Sequence, residues 1–303
     1  MNPQPQTYFV EEQTPIPFDF ESTATTHGWV MLRPFEWDEA GRELRRVHCL
    51  AGGRVVGLRL QAGNGMSAPA VRVEIETHEP FSPTDEAEIR RAVRRMLRLD
   101  EDLSEFEQLR GRFNGWSLRL RPGGGRLLRC PTLFEDIVYT LCTTNITWSG
   151  TIRLVDRLVT KLGEPFPGQA ERRAFPQAQA IAAAGPEFLR QEIGLGYRSS
   201  YVWELAAAVA GRRLDLATFE DPACPTETLQ RELRRLKGVG PYAAATILML
   251  LGRYDNLAID TELRSFVAKK YGAGQPVSEE QMRAIYAPWG QWQYLAYWFD
   301  SPG

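Results

Sequence analysis

The stretch Leu236-Lys237-Gly238-Val239-Gly240-Pro241-Tyr242-Ala243-Ala244-Ala245 determines how the second half of this chain is expected to fold. It predicts a helix, a tight turn and a second helix, because glycine adopts backbone angles that are closed to other residues. Pro241 suits the first position of the second helix, where its missing N–H group costs nothing. Such a turn directs backbone N–H groups outward at a helix N-terminus, and these groups attract a phosphate. The candidate phosphate-binding residues are Lys237, Gly238, Val239 and Gly240.

An acidic residue follows this turn at the start of another predicted helix. Asp260 lies 22 positions after Gly238 and directly precedes Thr261-Glu262-Leu263. Aspartate is favoured at a helix N-cap, so a structural role is one interpretation. A carboxylate at a helix start can also face a cleft and act on the molecule whose phosphate the turn binds. The two interpretations are compatible.

Composition places the chain among ordinary globular proteins. Its 303 residues are 43% hydrophobic and 24% charged, and they suffice for one large domain or two to three small ones. No run of 18 apolar residues occurs, so no membrane span is expected. The widely separated cysteines form no CxxC pair, which argues against a zinc ribbon or an iron–sulfur cluster and suits a reducing compartment. The cysteines are Cys49, Cys130, Cys142 and Cys224.

Histidine and charge limit the chemistry further. The only histidines, His27, His48 and His78, lie in the first third, so proton chemistry in the C-terminal half falls to carboxylates, tyrosines or lysines. The net charge of −2 gives no overall basic footprint for nucleic acid. Arginines nevertheless cluster from Arg90 to Arg98. That segment is interpreted either as one solvated helix side or as a surface that contacts DNA.

Three segments are expected along the chain. Residues 1–16 are polar and acidic with scattered prolines, which predicts a flexible leader. Residues 17–125 predict an α+β lobe with an antiparallel sheet, since Val71, Val73 and Ile75 alternate with charged residues before a helix that begins near Ser82. After the break at 122–125 the strand pattern ends, so residues 126–303 are expected to be all helical. Helices are predicted near 133–146, 149–162, 176–183, 186–193, 198–210, 226–236, 241–251, 261–270, 278–285 and 289–299.

The glycine turn, the alanine-rich helix and the Ile259-Asp260 pair together resemble the helix-hairpin-helix, Gly/Pro-rich, aspartate (HhH-GPD) superfamily of DNA glycosylases. Other stretches extend the resemblance from about residue 17 to the C-terminus. Cys142–Thr147 looks like the entry helix of oxoguanine and alkylpurine glycosylases. Gly194–Tyr201 is similar to a loop of the oxoguanine enzymes, and Trp289–Trp292 is similar to the start of the last helix of the superfamily.

The resemblance implies a fold and a catalytic residue. The fold is an α+β antiparallel-sheet lobe followed by an all-α helix-hairpin-helix glycosylase domain, without metal or organic cofactor. Asp260 matches the aspartate that stabilises positive charge on the sugar while the base leaves. The position of the lysine in bifunctional members holds Tyr242, and a phenol cannot form a Schiff base. The departure implies a monofunctional enzyme that releases the base and leaves the abasic strand intact.

Base flipping requires residues that fill the gap and residues that stack on the extruded base. The resemblance assigns Asn145 to the gap-filling loop, and Tyr197 and Arg198 to a loop that wedges the opposite strand. The plain alternatives are a helix C-cap for Asn145 and a packed loop aromatic for Tyr197. The predicted base pocket is aromatic, since a cationic alkylated purine favours electron-rich rings. The candidates are Tyr242, Trp148 and Trp289, with Trp292 and Trp298 considered as well, although core packing is the alternative for the C-terminal aromatics.

Three functional hypotheses follow. The first is a monofunctional glycosylase of base excision repair that acts on alkylated purines in duplex DNA. The second is a glycosylase for oxidised purines, suggested by Gly194–Tyr201 and weakened by the missing lysine. The third is a DNA-damage-binding protein that has lost catalysis. The expected partner is double-stranded DNA with damaged bases, and the expected state is a monomer in the cytoplasm and nucleoid, or in the nucleus of a eukaryote.

Overall fold

The computed structural model describes residues 4–64, 69–113 and 120–300. The chain divides into two units. The sheet unit comprises Met1–Asp100 and Pro122–Leu216, and the helical unit comprises Glu101–Arg121 and Ala217–Gly303. This division differs from the expected boundary at residue 125. Residues 126–216 belong with the sheet, because the first buried helix of that region is bound to the sheet through paired charges.

The described helices agree closely with the predicted series, apart from two that were not expected, α1 and α3. They are α1 (Phe20–Thr25), α2 (Pro83–Leu97), α3 (Ser104–Arg112), α4 (Leu133–Thr143), α5 (Trp148–Leu162), α6 (Ala178–Phe188), α7 (Arg198–Ala210), α8 (Thr226–Leu233), α9 (Pro241–Leu250), α10 (Thr261–Lys270), α11 (Glu279–Tyr286) and α12 (Gln293–Asp300).

The sheet unit is built on five antiparallel strands in the order β1-β5-β4-β3-β2. The alternation of apolar and charged residues near Val71 does mark a strand, whose apolar side chains are buried. The strands are β1 (Gln6–Gln13), β2 (Phe35–Asp38), β3 (Glu43–Cys49), β4 (Val55–Asn64) and β5 (Pro69–Thr77). The predicted antiparallel sheet is therefore confirmed.

The prediction of a flexible leader over residues 1–16 is wrong for the part that forms a strand. β1 pairs with β5 along its whole length, with Tyr8 opposite Ile75. Val10 is buried, and the carboxylate of Glu12 lies 2.9 Å from Arg94 Nη1. The acidic composition that suggested a loose segment thus provides ion-pair partners for a neighbouring helix. Residues 1–3 lie outside the described residues.

The arginine cluster Arg90–Arg98 lies on α2 and at its C-terminal end. The helix begins with a capping box between Ser82 and Asp85, as the sequence indicated. The arginines are not simply a solvated face: Arg90 and Arg94 pair with Glu12, and Arg98 is buried and donates to the Leu127 carbonyl. Three arginines of the cluster are thus engaged by acceptors within the sheet unit.

Paired charges join α4 to the sheet unit. All of α4 except its last residue is buried, including two acids. Glu135 Oε2 lies 3.1 Å from Arg46 Nη2 of β3, and the two side chains are only 3% and 1% exposed. Asp136 accepts from Arg95 Nη1 at 2.8 Å and from Trp29 Nε1 at 3.0 Å. Burial raises the pKa of Glu135, and the adjacent Arg46 guanidinium opposes that shift.

A short hairpin covers the other face of β3 and β4. Its strands are β6 (Pro165–Phe166) and β7 (Gln169–Arg173), and Phe166 packs with Val47, Val55 and Ala174. The expectation that no strands follow residue 125 is therefore wrong. The two strands are too short to give a period-two pattern in the sequence.

The helical unit has an aromatic core to which α3 contributes. Phe106 packs against Trp289 and Trp292, with ring centroids 5.6 and 5.8 Å apart. The carboxylate of Glu105 accepts from Trp292 Nε1 at 2.9 Å. Across the described ranges, no helix combines the length and apolar character needed to cross a bilayer.

We expect Glu135→Gln to lower the free energy of unfolding by about 3–5 kcal/mol, because it leaves the Arg46 charge buried without a counter-charge. Urea denaturation measures this loss. The control is the double variant Arg46→Met with Glu135→Leu, which removes both charges and should destabilise less than the single change. A single variant that loses less than about 1 kcal/mol would contradict the importance of the pair.

We expect stability to fall as the pH drops from about 6.5 towards 4. Burial lowers the pKa of His27 to about 4, and burial together with the charge of Arg46 lowers the pKa of His48 to about 3. The unfolded chain takes up these protons near pH 6.5 and the folded chain does not, so acid favours unfolding. His48→Gln should therefore reduce the stability lost between pH 7 and pH 5 by about 2 kcal/mol. Urea unfolding at both pH values checks this, and an unchanged loss would refute it.

Candidate active site

The glycine turn between α8 and α9 has the geometry of two helices joined by a short connection. Gly238 has a φ of +84°, a left-handed conformation that favours glycine. The Val239 N–H donates to the Leu236 carbonyl at 3.0 Å, which closes the turn. Pro241 is the first residue of α9, as the sequence indicated.

Gly240 does not need the conformational freedom expected of it. Its φ of −81° and ψ of −175° are ordinary extended angles, and it caps α9 without a side-chain hydrogen bond. A Cβ atom built at Gly240 would meet no atom within 4 Å. Nothing in the surrounding fold therefore requires glycine here, whereas a ligand that approaches the backbone closely would. Val239 is buried, so only its backbone can take part in such a contact, and Lys237 is exposed.

Asp260 is the N-cap of α10, and its side chain is half-buried. Its Oδ1 atom accepts from the Leu263 N–H at 2.8 Å. This bond holds the carboxylate in one orientation. Among the described residues no hydrogen bond engages Oδ2, so that atom is available to a ligand.

Two tyrosines of α12 lie within electrostatic range of Asp260. Burial raises the pKa of Tyr294 and Tyr297, and the phenol of Tyr242 and the charges of Asp260 and Glu262 raise both further. Partial desolvation and the charge of Asp260 also raise the pKa of Glu262. The charge of Asp260 thus acts on two phenols that stay uncharged. Core packing was the alternative considered for the C-terminal aromatics, and no spacing in the sequence relates these two tyrosines to Asp260.

The tyrosine pair itself is well packed. Tyr294 and Tyr297 meet edge to face with centroids 6.0 Å apart, and Tyr294 lies nearly parallel to Trp298 at 6.4 Å. Both tyrosines are buried, whereas Tyr242 and Trp298 are half-buried. Tyr242 and Trp298 therefore retain surface that an incoming ring can reach.

Trp289 has the environment of a core residue. It is fully buried, and its ring centroid lies 5.0 Å from that of Phe113 and 5.6 Å from that of Phe106. This packing leaves no open ring face for a base. Trp292 is likewise buried and stacks on Tyr254 at 5.7 Å. The two residues match the core alternative considered for the C-terminal aromatics.

In the sheet unit the structure brings together Asn145, Tyr197 and Arg198, the three residues predicted to contact the DNA when a base is flipped out. Asn145 follows α4 in a left-handed conformation, with φ of +48°, and is exposed. Its Nδ2 atom donates to the hydroxyl of Tyr197 at 3.3 Å, and Tyr197 is 49% exposed. Asn145 therefore does lie at a helix C-terminus, and its side chain points to the same surface as Tyr197.

Arg198 has a different environment from its two neighbours. It is buried, and its guanidinium donates to the carbonyls of Thr144 and Asn145, the former at 3.1 Å from Nε. The same group lies 4.5 Å from the centre of the Tyr197 ring. These contacts occupy Arg198 within the protein, so it orders the surface formed by Asn145 and Tyr197.

Trp148, the remaining pocket candidate, begins α5 in the sheet unit. Its ring is nearly parallel to that of Trp29, with centroids 6.5 Å apart, and its indole N–H lies 3.4 Å from the sulfur of Met31. Trp148 is 36% exposed. The three predicted pocket residues thus belong to two units, with Tyr242 and Trp289 in the helical one.

Comparison of the sequence with known proteins gives a relative that matches half of the chain. No protein-family model matches the chain. An N-glycosylase/DNA lyase of Saccharomyces cerevisiae is 22% identical over 165 residues, which cover 50% of this chain and 43% of the yeast protein. The chain thus matches less than half the length of that relative.

Solved structures resemble the chain over nearly its whole length. A 3-methyladenine DNA glycosylase from Archaeoglobus fulgidus has a TM-score of 0.70 and 24% identity, covering 96% of this chain and 97% of the other. The apo 8-oxoguanine glycosylase/lyase of Clostridium acetobutylicum has a TM-score of 0.68 and 16% identity, covering 99% of both chains. Its complex with double-stranded DNA has a TM-score of 0.62, at 16% identity and 98% coverage of both. The chain therefore has the fold of these DNA glycosylases, and the resemblance drawn from its sequence is confirmed at the level of the fold.

Proposed function

We propose that this protein is a monofunctional DNA glycosylase that hydrolyses the N-glycosidic bond of alkylated purines in duplex DNA. The observation that carries the proposal is the half-buried Asp260 carboxylate, which is fixed through one oxygen and acts electrostatically on the buried phenols Tyr294 and Tyr297. Asp260 has the position of the catalytic aspartate in the resemblance, and its environment suits that role.

The chemistry requires a negative charge next to the anomeric carbon. As the bond from C1′ to the base nitrogen breaks, electrons leave with the base and positive charge develops on the sugar. An oriented carboxylate stabilises this charge and accepts a proton from the attacking water. Asp260 Oδ1 is held by the Leu263 N–H, so Oδ2 is the atom proposed to face the sugar.

The glycine turn is proposed to anchor the DNA backbone. The first N–H groups of α9 have no partners within the helix and carry the positive end of its dipole. The open space around Gly240 supports close approach of a phosphate to the backbone. Lys237, which is exposed, adds positive charge beside the turn.

The neutral rings near Asp260 support alkylated purines as substrates. An alkylated purine carries positive charge, and a ring face attracts a cation by about 0.5–2 kcal/mol. Tyr294 and Tyr297 remain uncharged phenols because burial and nearby negative charge raise their pKa. Tyr242 and Trp298, which are half-buried, are the proposed stacking surfaces. The packing of Trp289 supports a structural role instead.

Asn145 and Tyr197 are proposed to enter the duplex when the damaged base is flipped out. They are exposed, they are joined by a hydrogen bond, and they lie on the loops after α4 and before α7. Arg198 is proposed as a positioning residue, since its guanidinium is buried against the carbonyls of the same loop.

Oxidised purines are the second candidate substrate class. The stretch Gly194–Tyr201 resembles oxoguanine glycosylases, and solved enzymes named for 8-oxoguanine share the fold. The phenol at Tyr242 argues against the lyase chemistry of bifunctional members. A base-release assay over alkylated and oxidised purines separates the two classes, and binding without any release would favour a damage-binding protein.

We expect Asp260→Asn to slow base release by on the order of 10²–10³-fold, because it removes the charge that stabilises the sugar cation. Asparagine still accepts the Leu263 N–H bond, so α10 should remain capped. The single-turnover rate of base release from alkylated duplex DNA is measured by counting alkali-labile sites. The affinity for DNA that contains an abasic analogue is measured separately and should change little. Asp255→Asn, an exposed acid of the same loop, is the matched control and should retain activity. Near-normal release by the Asp260 variant would exclude Asp260 from the mechanism.

We expect no covalent adduct when the wild-type protein is incubated with damaged DNA and borohydride. Borohydride traps a Schiff base, and the phenol of Tyr242 forms none. Gel electrophoresis under denaturing conditions detects an adduct, with the intact abasic strand as the expected product. An adduct that forms in the wild type and persists in Tyr242→Phe would reveal an amine elsewhere in the chain as the nucleophile and overturn the monofunctional assignment.

A further inference from the structure

A groove lined by arginines lies along α8 and the two residues that follow it, in the helical unit. Arg231, Arg234 and Arg235 line it together with Glu227 and Gln230, and its volume is about 340 Å³. The arginines follow a spacing of three and four residues, which places side chains on one side of a helical turn. All three are exposed.

The guanidinium groups of this arginine groove have few partners within the protein. Arg235 pairs with Glu232 at 2.6 Å, and the Nε atom of Arg231 lies 3.9 Å from the same carboxylate. Among the residues that the structure describes, no hydrogen bond or ion pair engages the guanidinium of Arg234. Exposed pairs of this kind add little to stability, so the fold gains little from these charges.

Positive charge is concentrated here against the average of the chain. From residue 227 to 237 the basic residues Arg231, Arg234, Arg235 and Lys237 outnumber the acids Glu227 and Glu232, which gives a net charge of +2 from 4 minus 2. The whole chain has a net charge of −2. Basic residues near a helix C-terminus also interact favourably with the negative end of the helix dipole. The dipole does not account for three guanidinium groups that line the same groove.

We propose that the arginine groove binds a phosphate of the DNA backbone next to the phosphate held by the glycine turn. The inference rests on the proposed function, because it extends the binding surface for the same DNA. Arg235 precedes Gly238 by three positions, so one DNA strand could contact both the glycine turn and the arginine groove. A planar guanidinium binds phosphate through two parallel hydrogen bonds, which are stronger than its exposed pair with Glu232.

The test is the salt dependence of DNA binding by the double variant Arg234→Gln with Arg235→Gln. Affinity for an undamaged duplex and for a duplex with an abasic analogue is measured by fluorescence anisotropy from 50 to 200 mM salt. The matched control is Arg212→Gln with Arg213→Gln, which removes the same charge from two exposed residues just after α7. Thermal melting verifies that each variant is folded.

Loss of one phosphate contact should reduce the slope of log K against log salt by about 0.9 and weaken binding roughly tenfold at 100 mM salt. Both duplexes should lose the same factor, since a phosphate contact does not read the base. An unchanged slope, or an equal change in the control, would overturn the inference. If the protein releases bases but the slope is unchanged in the variant, the proposed function holds and the arginine groove is refuted. If the slope is reduced but the protein releases no base, the groove is supported and the glycosylase function is refuted.

Discussion

The buried pairing of Arg46 with Glu135 is the interaction on which the sheet unit depends. A charge removed from water is tolerated only when a partner of opposite sign lies in contact. Here β3 supplies the cation and α4 supplies the anion, so the sheet and its central helix must fold together. Asp136 repeats the arrangement one residue later with Arg95 of α2. The C-terminal end of α4 leads directly to Asn145, and thus the same charges position one of the proposed DNA-contacting loops.

The helical unit is held together mainly by packed side chains rather than by buried ion pairs between a sheet and a helix. Its core combines the aromatic rings of Phe106, Trp289 and Trp292 with the buried aliphatic side chains of α9. At the C-terminal end of α10, the buried carboxylate of Asp300 pairs with Lys270 and accepts from Tyr271 and Tyr286. Asp260 caps the opposite end of that helix. The helix carrying the proposed catalytic carboxylate is therefore held at both ends by aspartates with different tasks.

Local features were predictable from the sequence because they depend on neighbouring residues. Pro241 at the start of α9, Asp260 at the start of α10 and the strand around Val73 all follow from rules that act within a few positions. Features that depend on distant partners were not. β1 is recognisable only through its pairing with β5, and the approach of Tyr294 and Tyr297 to Asp260 depends on the packing of α12. Gly240 lies in the turn between α8 and α9, as predicted, but the predicted reason is wrong, because its backbone angles suit any residue.

The hydrogen bonds of Arg198 have a consequence for the energetics of DNA recognition. Its guanidinium donates to carbonyls of the loop after α4, and its own backbone begins α7, so hydrogen bonds join two loops that are distant in sequence. Their conformational freedom is lost when the protein folds rather than when it meets its ligand. For the proposed entry of Asn145 and Tyr197 into the duplex, this preorganisation lowers the entropic cost and leaves more of the contact energy for separating the base pair.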